Sequence, residues 1–271
     1  PQTLDEALTL LGEGGRDAMP LAGGQSLMPM LNFRLTEPDL LVDLNALREL
    51  SGITDDGDAL VIGAMTRYAE LERSDLVAQH LPLLMQALPF VAHPAIRNRG
   101  TIGGSTALAD PAAEMPALLL ALEATIVTAS QQGERAIAAR DFFLGLYETA
   151  LQPGEIVKAV SIPKTVSARH FAFDELTRRH GDYAMIGLAV TAADGAPFQD
   201  LRLAFFGIAD RAIRATDAEQ ALNGHAPGDQ SARQNAMDAI AALDFDGDLH
   251  ASATTKRHLA GVLLKRVLRA L

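Results

Sequence analysis

Two short stretches of paired glycine constrain this chain more than any other feature. One is LAGGQSLMP, Leu21 to Pro29; the other is Thr101 to Ser105, TIGGS, inside the longer run from His93 to Pro116. Each glycine pair sits beside apolar residues and is followed by a serine. Glycine tolerates φ > 0 and lets the backbone approach a ligand within hydrogen-bonding distance. Successive backbone N–H groups in such turns form a concavity for anions. The Thr101 and Ser105 hydroxyls add further donors. Two such loops facing each other would grip the two phosphates of one pyrophosphate. Paired glycines also mark ordinary tight turns, and the pattern by itself leaves both readings open.

Composition narrows the classes. The chain has 271 residues, enough for a large core and two domains. Its 34 acidic and 23 basic residues give a net charge of −11, against a nucleic-acid partner, which needs a basic face. With no cysteine, it has no disulfide, no thiolate nucleophile and no cysteine-ligated zinc or iron–sulfur cluster of its own. No apolar run approaches the length of a membrane span. The polar opening PQTLDEA is unlike a signal peptide, and a cytoplasmic location is the default. Because the chain opens on Pro1, a few residues are expected upstream.

Periodicity outlines the elements. Thr3-Leu4-Asp5-Glu6 reads as a capping box opening a helix to about Leu11 that Gly14-Gly15 ends. Ala18 to Ala22 is a short strand delivering the first glycine loop. Ser26 to Phe33 forms a helical turn or short helix whose N-terminus points at the ligand. Leu40 to Leu44 is apolar enough to be a central strand. Leu60 to Gly63 is the next strand, Thr66 caps a helix through Glu72, and Leu81 to Val91 is a buried helix ending before an extended His93-Pro94 turn. Asp110-Pro111 starts a helix with Glu114 in its first turn. Ala124 to Thr128 pairs with Arg135 to Ala138, and Glu155 to Ile162 is a further strand. A boundary falls near Pro163 to Ser167. Beyond it, Phe171 to Leu176, Ala184 to Thr191 and Leu201 to Ile208 form an antiparallel sheet. Helices follow over Thr216 to Leu222, Gln230 to Ala242 and Ser252 to Leu271. In the last, Leu259, Val262, Leu263, Val267 and Leu271 make an apolar stripe, with Lys256, Arg257, Lys265, Arg266 and Arg269 on a solvated face.

Several chemistries are absent. There is no GxxxxGK[ST], no GxGxxG after a strand and no GxSxG. Asp43, Asp110 and Glu114 lie near the glycine loops. Paired carboxylates can do acid–base work, but capping a helix or bonding a ribose hydroxyl is the commoner use, and is preferred for Glu114. Arg97 and Arg99 could neutralise phosphate, bind a partner or lie in solvent. Tyr183, in the polar turn from Arg178, could stack on a flat cofactor or pack at a strand end.

Three motifs in order carry a resemblance over nearly the whole chain. They are Leu21–Pro29 followed by Arg34-Leu35 and Leu41–Asn45; Ile96–Ser105 followed by Ala109–Glu114; and Arg179–Ala184. Together they resemble the FAD-binding medium subunit of the molybdenum hydroxylases, the family of carbon monoxide dehydrogenase, xanthine dehydrogenase and the N-heterocycle hydroxylases. The resemblance implies an α+β fold. A two-lobed FAD-binding domain of the vanillyl-alcohol-oxidase (PCMH) type spans residues 1–165, with lobes of about 1–53 and 54–165. A small C-terminal domain, 166–271, carries a three-stranded antiparallel sheet and helices. The resemblance places non-covalent FAD on Ala22, Gly23, Gly24, Gln25, Ser26 and Leu27 of the first loop and on Thr101, Ile102, Gly103, Gly104, Ser105 and Ala109 of the second. It puts Glu114 near the adenosine ribose, Val157 on the adenine side, and Asp182 and Tyr183 against the isoalloxazine. No acid–base catalyst and no metal ligand is assigned, and Glu175 receives no role.

The same resemblance implies a small subunit with [2Fe–2S] clusters and a large subunit with a molybdenum–pterin cofactor, where hydroxylation occurs. A dimer of such heterotrimers is one arrangement it allows. Electrons would reach FAD through the clusters and leave to an external acceptor, which the sequence does not identify. Two other readings stand beside it, a self-sufficient FAD oxidase of the same fold and a non-enzymatic assembly subunit.

Overall fold

The computed structural model describes residues 1–13, 15–164, 169–179 and 181–270. Gly14, the Thr165–Ser167 stretch of the expected boundary, His180 and Leu271 lie outside the described residues.

The chain opens with α1 (Leu4–Gly12), β1 (Ala18–Leu21), α2 (Leu27–Asn32) and β2 (Leu40–Asp43). Thr3 Oγ1 accepts from Glu6 N, as a capping box requires, but the Glu6 carboxylate accepts from Gln2 N at 2.7 Å, one residue before the cap. β1 and β2 pair in parallel as a two-stranded ribbon, from Ala18 beside Leu40 to Leu21 beside Asp43. Leu40–Leu44 is therefore not a central strand. Only Val42 of β2 is buried, with Ala7, Leu8 and Leu11 of α1.

The next part holds β3 (Ile53–Asp56), β4 (Ala59–Gly63), α3 (Tyr68–Leu71), α4 (Asp75–His80), α5 (Pro82–Ala87), α6 (Pro94–Arg97), α7 (Ile102–Leu108) and α8 (Glu114–Ala121). After these come β5 (Thr125–Ser130), β6 (Gly133–Ala138), α9 (Ala139–Phe142), β7 (Phe143–Gly145), β8 (Glu148–Thr149) and β9 (Ile156–Pro163). Five strands form an antiparallel sheet in the order β3-β4-β9-β5-β6. β9 sits at its centre and is correspondingly apolar, with Ile156, Val157, Val160 and Ile162 buried.

Four expectations fail here for local reasons. Thr66 does not cap α3: Arg67 does, its N–H bonded to Glu70 Oε2 at 2.7 Å, while the Thr66 hydroxyl bonds both backbone groups of Gly52. The stretch Leu81 to Val91 is not one helix, because α5 passes into a 3₁₀ turn at Leu88–Phe90. His93 is extended as the following proline demands, yet Pro94 opens the short α6 instead of a turn. The helix expected at Asp110-Pro111 starts at Glu114, since Asp110 Oδ1 takes the Ala112 N–H into a tight turn first.

The last part contains β10 (Arg169–Leu176), β11 (Ile186–Ala193), β12 (Arg202–Phe206), β13 (Ile213–Arg214), α10 (Thr216–Leu222), α11 (Gln230–Ala241) and α12 (Ala253–Ala270). The three expected strands are antiparallel neighbours, and the two-residue β13 joins their edge. Both faces of β11 are covered. Ile186, Leu188, Val190 and Ala192 point at α10–α12, whereas Ala189 packs with α8. All eight residues of α8 are buried, as a helix apolar on every side must be. It packs on β11, β12 and β13 of the C-terminal sheet and on α5, α7 and α9.

Lys256 corrects the reading of α12. Its side chain is only 6% exposed. Its Nζ donates to Gly207 O at 2.6 Å and pairs with Asp248 at 2.7 Å. Gly207 N in turn donates to Pro111 O at 2.7 Å, so this lysine braces the loop that touches the approach to α8. Lys256→Met keeps the aliphatic stem and strands a buried carbonyl. It is expected to cost about 1–3 kcal/mol, measured by urea unfolding, whereas Lys265→Met on the exposed face should change little.

Candidate functional site

The two glycine loops meet. A Cβ at Gly23 would collide with the carbonyl oxygen of Arg99, and one at Gly103 would collide with Ala64. Gly24 takes φ of 71°, which a side chain resists. Asn45 secures the first loop from below: its Nδ2 donates to Ala22 O at 2.9 Å, and Asp43 Oδ1 accepts from both nitrogens of Asn45. Those bonds, with Arg99 nearby, hold the Asp43 carboxyl below its ordinary pKa. Asp43 thus serves the loop and not acid–base chemistry.

Between the loops lies a cavity of about 340 Å³. Of the expected residues, Ala22, Gly23, Gly24, Gln25, Ser26, Leu27, Thr101, Gly103, Gly104, Ser105 and Val157 line it. Met19, Pro20, Met30, Ala64, Met65, Leu108, Leu151 and Glu155 line it too and were not foreseen. Ile102 is fully buried in the core, and Ala109, the left-handed cap of α7, is also buried. Glu114 is buried at the start of α8, and Asp182 and Tyr183 stand on the C-terminal turn; none of the three lines the cavity.

The second glycine pair is not a loop but the first turn of α7. Thr101 caps it by accepting from Gly104 N at 3.1 Å, and Ile102 N and Gly103 N donate to Thr66 O and Ala64 O. The first loop differs. Among the described residues, the N–H groups of Gly23, Gly24, Gln25 and Ser26 have no protein acceptor. The residues that carry these four donors line the cavity together with Thr101 and Ser105. Ser105 also shares a hydrogen bond with the buried Tyr68 hydroxyl.

Among the described lining residues the one ionisable side chain is Glu155, and it is already neutralised. Arg135 reaches it from both Nε (2.8 Å) and Nη2 (2.6 Å). Thr128 Oγ1 and Gln152 N donate as well. Arg135 above all, with these donors, holds the Glu155 carboxyl down at about 2. Arg97 does not point to the cavity: its Nε pairs with Glu72 at 2.8 Å and its Nη1 donates to Val91 O and Ala92 O. Arg99 is exposed. An anion in the cavity therefore meets backbone dipoles and hydroxyls, not fixed cations.

Beyond the end of α7 lies a second group of polar residues. Burial pushes Glu114 up to about 7, with Asp110 adding to the effect. Glu175 on β10 is pushed up to about 8 by burial, then by Glu114 and Asp174, and its Oε2 has no partner. Burial also raises Asp110, against the hydrogen bonds it receives from Ala112 N, Tyr183 and Tyr147. The sequence carries no signal for Glu175 or Tyr147 here; the contact of the C-terminal sheet with α8 creates this cluster.

The fit of a pyrophosphate can be judged from the cradle itself. A Cβ at Gly104 would stand 2.9 Å from Thr101 Oγ1 and 3.6 Å from the Ala22 methyl, filling the space between the loops. Gly23 to Ser26 line the same cavity. These residues suit a dinucleotide cofactor such as FAD.

Comparison with known proteins bears on what occupies it. Residues 1–165 match the model of the FAD binding domain in molybdopterin dehydrogenase, and residues 171–271 match that of the CO dehydrogenase flavoprotein C-terminal domain. The chain is 40% identical over 268 residues to 6-hydroxypseudooxynicotine dehydrogenase complex subunit alpha of Paenarthrobacter nicotinovorans, covering 98% of this chain and 90% of that one. It is 38% identical to the carbon monoxide dehydrogenase medium chain of Hydrogenophaga pseudoflava, covering 100% and 94%. A solved carbon monoxide dehydrogenase from the latter organism superposes with a TM-score of 0.96 at 41% identity, covering 100% of this chain and 94% of that one. Quinoline 2-oxidoreductase of Pseudomonas putida 86 gives 0.92 at 39% identity, with the same coverage.

The carboxyls predict opposite pH effects. Glu155, held low, stabilises the fold above the ordinary carboxylate pKa, and that stability is lost as the pH falls towards 2. Glu175, held high, keeps a proton that the unfolded chain releases, so its contribution to stability falls as the pH rises towards 8. Urea titrations should show Glu155→Gln costing more at neutral pH than near pH 3, and Glu175→Gln flattening the decline between about pH 5 and pH 8. An unchanged slope in Glu175→Gln would show that this carboxyl is ionised throughout.

Proposed function

Since this chain belongs to the family of FAD-binding medium subunits of the molybdenum hydroxylases, we propose that its own cavity holds FAD non-covalently, with the pyrophosphate between residues 22–27 and 101–105. The chain is the flavoprotein subunit of an oxidoreductase complex, working with a small [2Fe–2S] subunit and a large molybdenum–pterin subunit. When bound, FAD supplies the redox chemistry, taking electrons from the clusters and passing them to an external acceptor.

The observation that carries this reading is the run of four N–H groups without a protein acceptor at Gly23–Ser26, in a stretch that lines the same cavity as Gly104. Those donors would bind the pyrophosphate, the Thr101 and Ser105 hydroxyls would orient it, and Val157 would line the adenine side. Apolar Met19, Met65 and Ile156 would exclude water. Neutralised Glu155 adds no free charge against the phosphates. We assign residues 1–165 to flavin binding and 166–271 to closing the site at its ring end through Asp182 and Tyr183. Among the described residues no helix is long and apolar enough to cross a membrane; our reading places the complex in the cytoplasm, which cell fractionation would test.

The chain purified with its partner subunits should show flavin absorption, and heating should free the pigment into solution. Gly104→Ala must push Thr101 Oγ1 aside, so it is expected to weaken FAD binding by about tenfold, with the circular dichroism of the fold unchanged. An assembly that stays colourless after incubation with FAD would overturn the reading.

A further inference from the structure

Tyr147 is held in a conformation that its residue type resists. It stands at the tip between β7 and β8 with φ of 54°. A bulky side chain in the left-handed region is a genuine outlier, and such strain persists where the surroundings impose it, commonly at functional sites. The residue is not buried in return: it is 55% exposed. Its hydroxyl stands 3.5 Å from Asp110 Oδ2.

Tyr183 converges on the same carboxylate from the C-terminal domain, and the residue is 61% exposed. Asp110 itself is presented by a second strained residue, Ala109, with φ of 53°. The carboxylate is divided in its duties. Oδ1 accepts from Ala112 N at 2.9 Å, which fixes the turn, while Oδ2 faces Tyr147. Burial raises both tyrosine hydroxyls, that of Tyr183 to about 12, so both remain proton donors near neutral pH. Three chain segments, two left-handed residues and two uncovered aromatic rings thus meet at one buried carboxyl.

The place matters. The cavity follows α7 from Thr101 to Leu108. Seven helical residues rise about 10 Å, and Asp110 follows directly. A ligand gripped at Thr101 and carrying a flat group on a spacer would present that group to this end. We propose that Tyr147 is a positioning residue of the flavin site: its ring and that of Tyr183, tied together by Asp110, form the two aromatic edges that hold the isoalloxazine. This rests on the reading of FAD in the cavity and of Tyr183 at its ring end. A strained, exposed tyrosine has a purpose there, since an aromatic ring kept open to solvent in the subunit is available to another ring.

The test uses the FAD-loaded assembly and reads bound-flavin fluorescence, which a tyrosine ring in contact quenches, together with FAD affinity. Tyr147→Gly is the informative variant because glycine accepts φ of 54° without strain; it should fold with an unchanged or higher Tm. Expected are a rise in bound-flavin emission and FAD affinity weaker by about fivefold. Tyr147→Phe should keep most of the quenching. In a double-mutant cycle, Tyr147→Gly and Tyr183→Ala should be non-additive. Emission and affinity at the wild-type level in Tyr147→Gly would overturn the proposal. If Tyr183→Ala then changed both, the ring end at Tyr183 would stand and Tyr147 would be a turn residue. If Tyr183→Ala were silent as well, while Gly104→Ala still weakened FAD, that placement of the ring would fall too.

Discussion

The absence of a side chain at Gly23 lets two lobes share one cavity. The Arg99 carbonyl occupies the space that a Cβ would need, so the loop after β1 lies against the segment leading into α7. Gly103 repeats the arrangement one layer deeper, against Ala64 at the end of β4. The N–H groups of Ile102 and Gly103 bond Thr66 O and Ala64 O, welding α7 to the five-stranded sheet. Most of the paired glycine is therefore demanded by protein–protein packing. Gly104 and the first-loop N–H groups without a protein acceptor are not demanded by that packing in the same way. This division explains why paired glycine alone says little about binding: the same residues would be needed for the two lobes to touch at all.

A second constraint is α8. A helix buried on every side needs apolar cover all round, here from the C-terminal sheet and from α5, α7 and α9, and its N-terminus brings Glu114 into the seam with Asp110 and Glu175. Removing carboxyls from water without cationic partners disfavours their charged forms. The nearest compensations are a backbone N–H for Glu114 and tyrosine hydroxyls for Asp110. The seam is braced elsewhere, by Lys256 through Gly207 to Pro111. Stability of the contact between the domains is thus supplied by apolar packing and one buried lysine, while the acidic residues reduce it as the pH rises.

Much of this was legible in the chain, and the exceptions have physical causes. Strands with strong apolar patterns, such as β4, β9 and β11, fall where expected, as do α10 and α11. β3 was missed because Thr54, Asp55 and Asp56 are exposed on an edge strand and give no apolar signal. Thr66 and Asp110 both looked like helix starts, but Thr66 bonds Gly52 and Asp110 closes a tight turn on Ala112 N ahead of α8. Lys256 looked solvated because a lysine at a helical surface position nearly always is, and only the distant Gly207 carbonyl makes it otherwise. At the site, the glycine loops were visible because their chemistry is local. Glu155, Tyr68 and Tyr147 were not, since each acquires its role from a partner many residues away.

The two ends of α7 show how local preference yields to position. At its start every preference agrees: Thr101 is extended, caps the helix and leaves room for the glycines. At its end they conflict. A left-handed cap favours glycine, but Ala109 stands there with its methyl buried in the core. Glycine would relieve the backbone and forfeit that packing. The alanine keeps the turn anchored, and with it the direction in which Asp110 leaves the helix. Tyr147 has no such compensation, since its ring is open to solvent. The same backbone outlier therefore comes with a packed methyl at Ala109 and with an exposed side chain at Tyr147. Packing accounts for Ala109, and what packing does not account for at Tyr147 is an exposed side chain whose hydroxyl is held beside Asp110, past the end of α7.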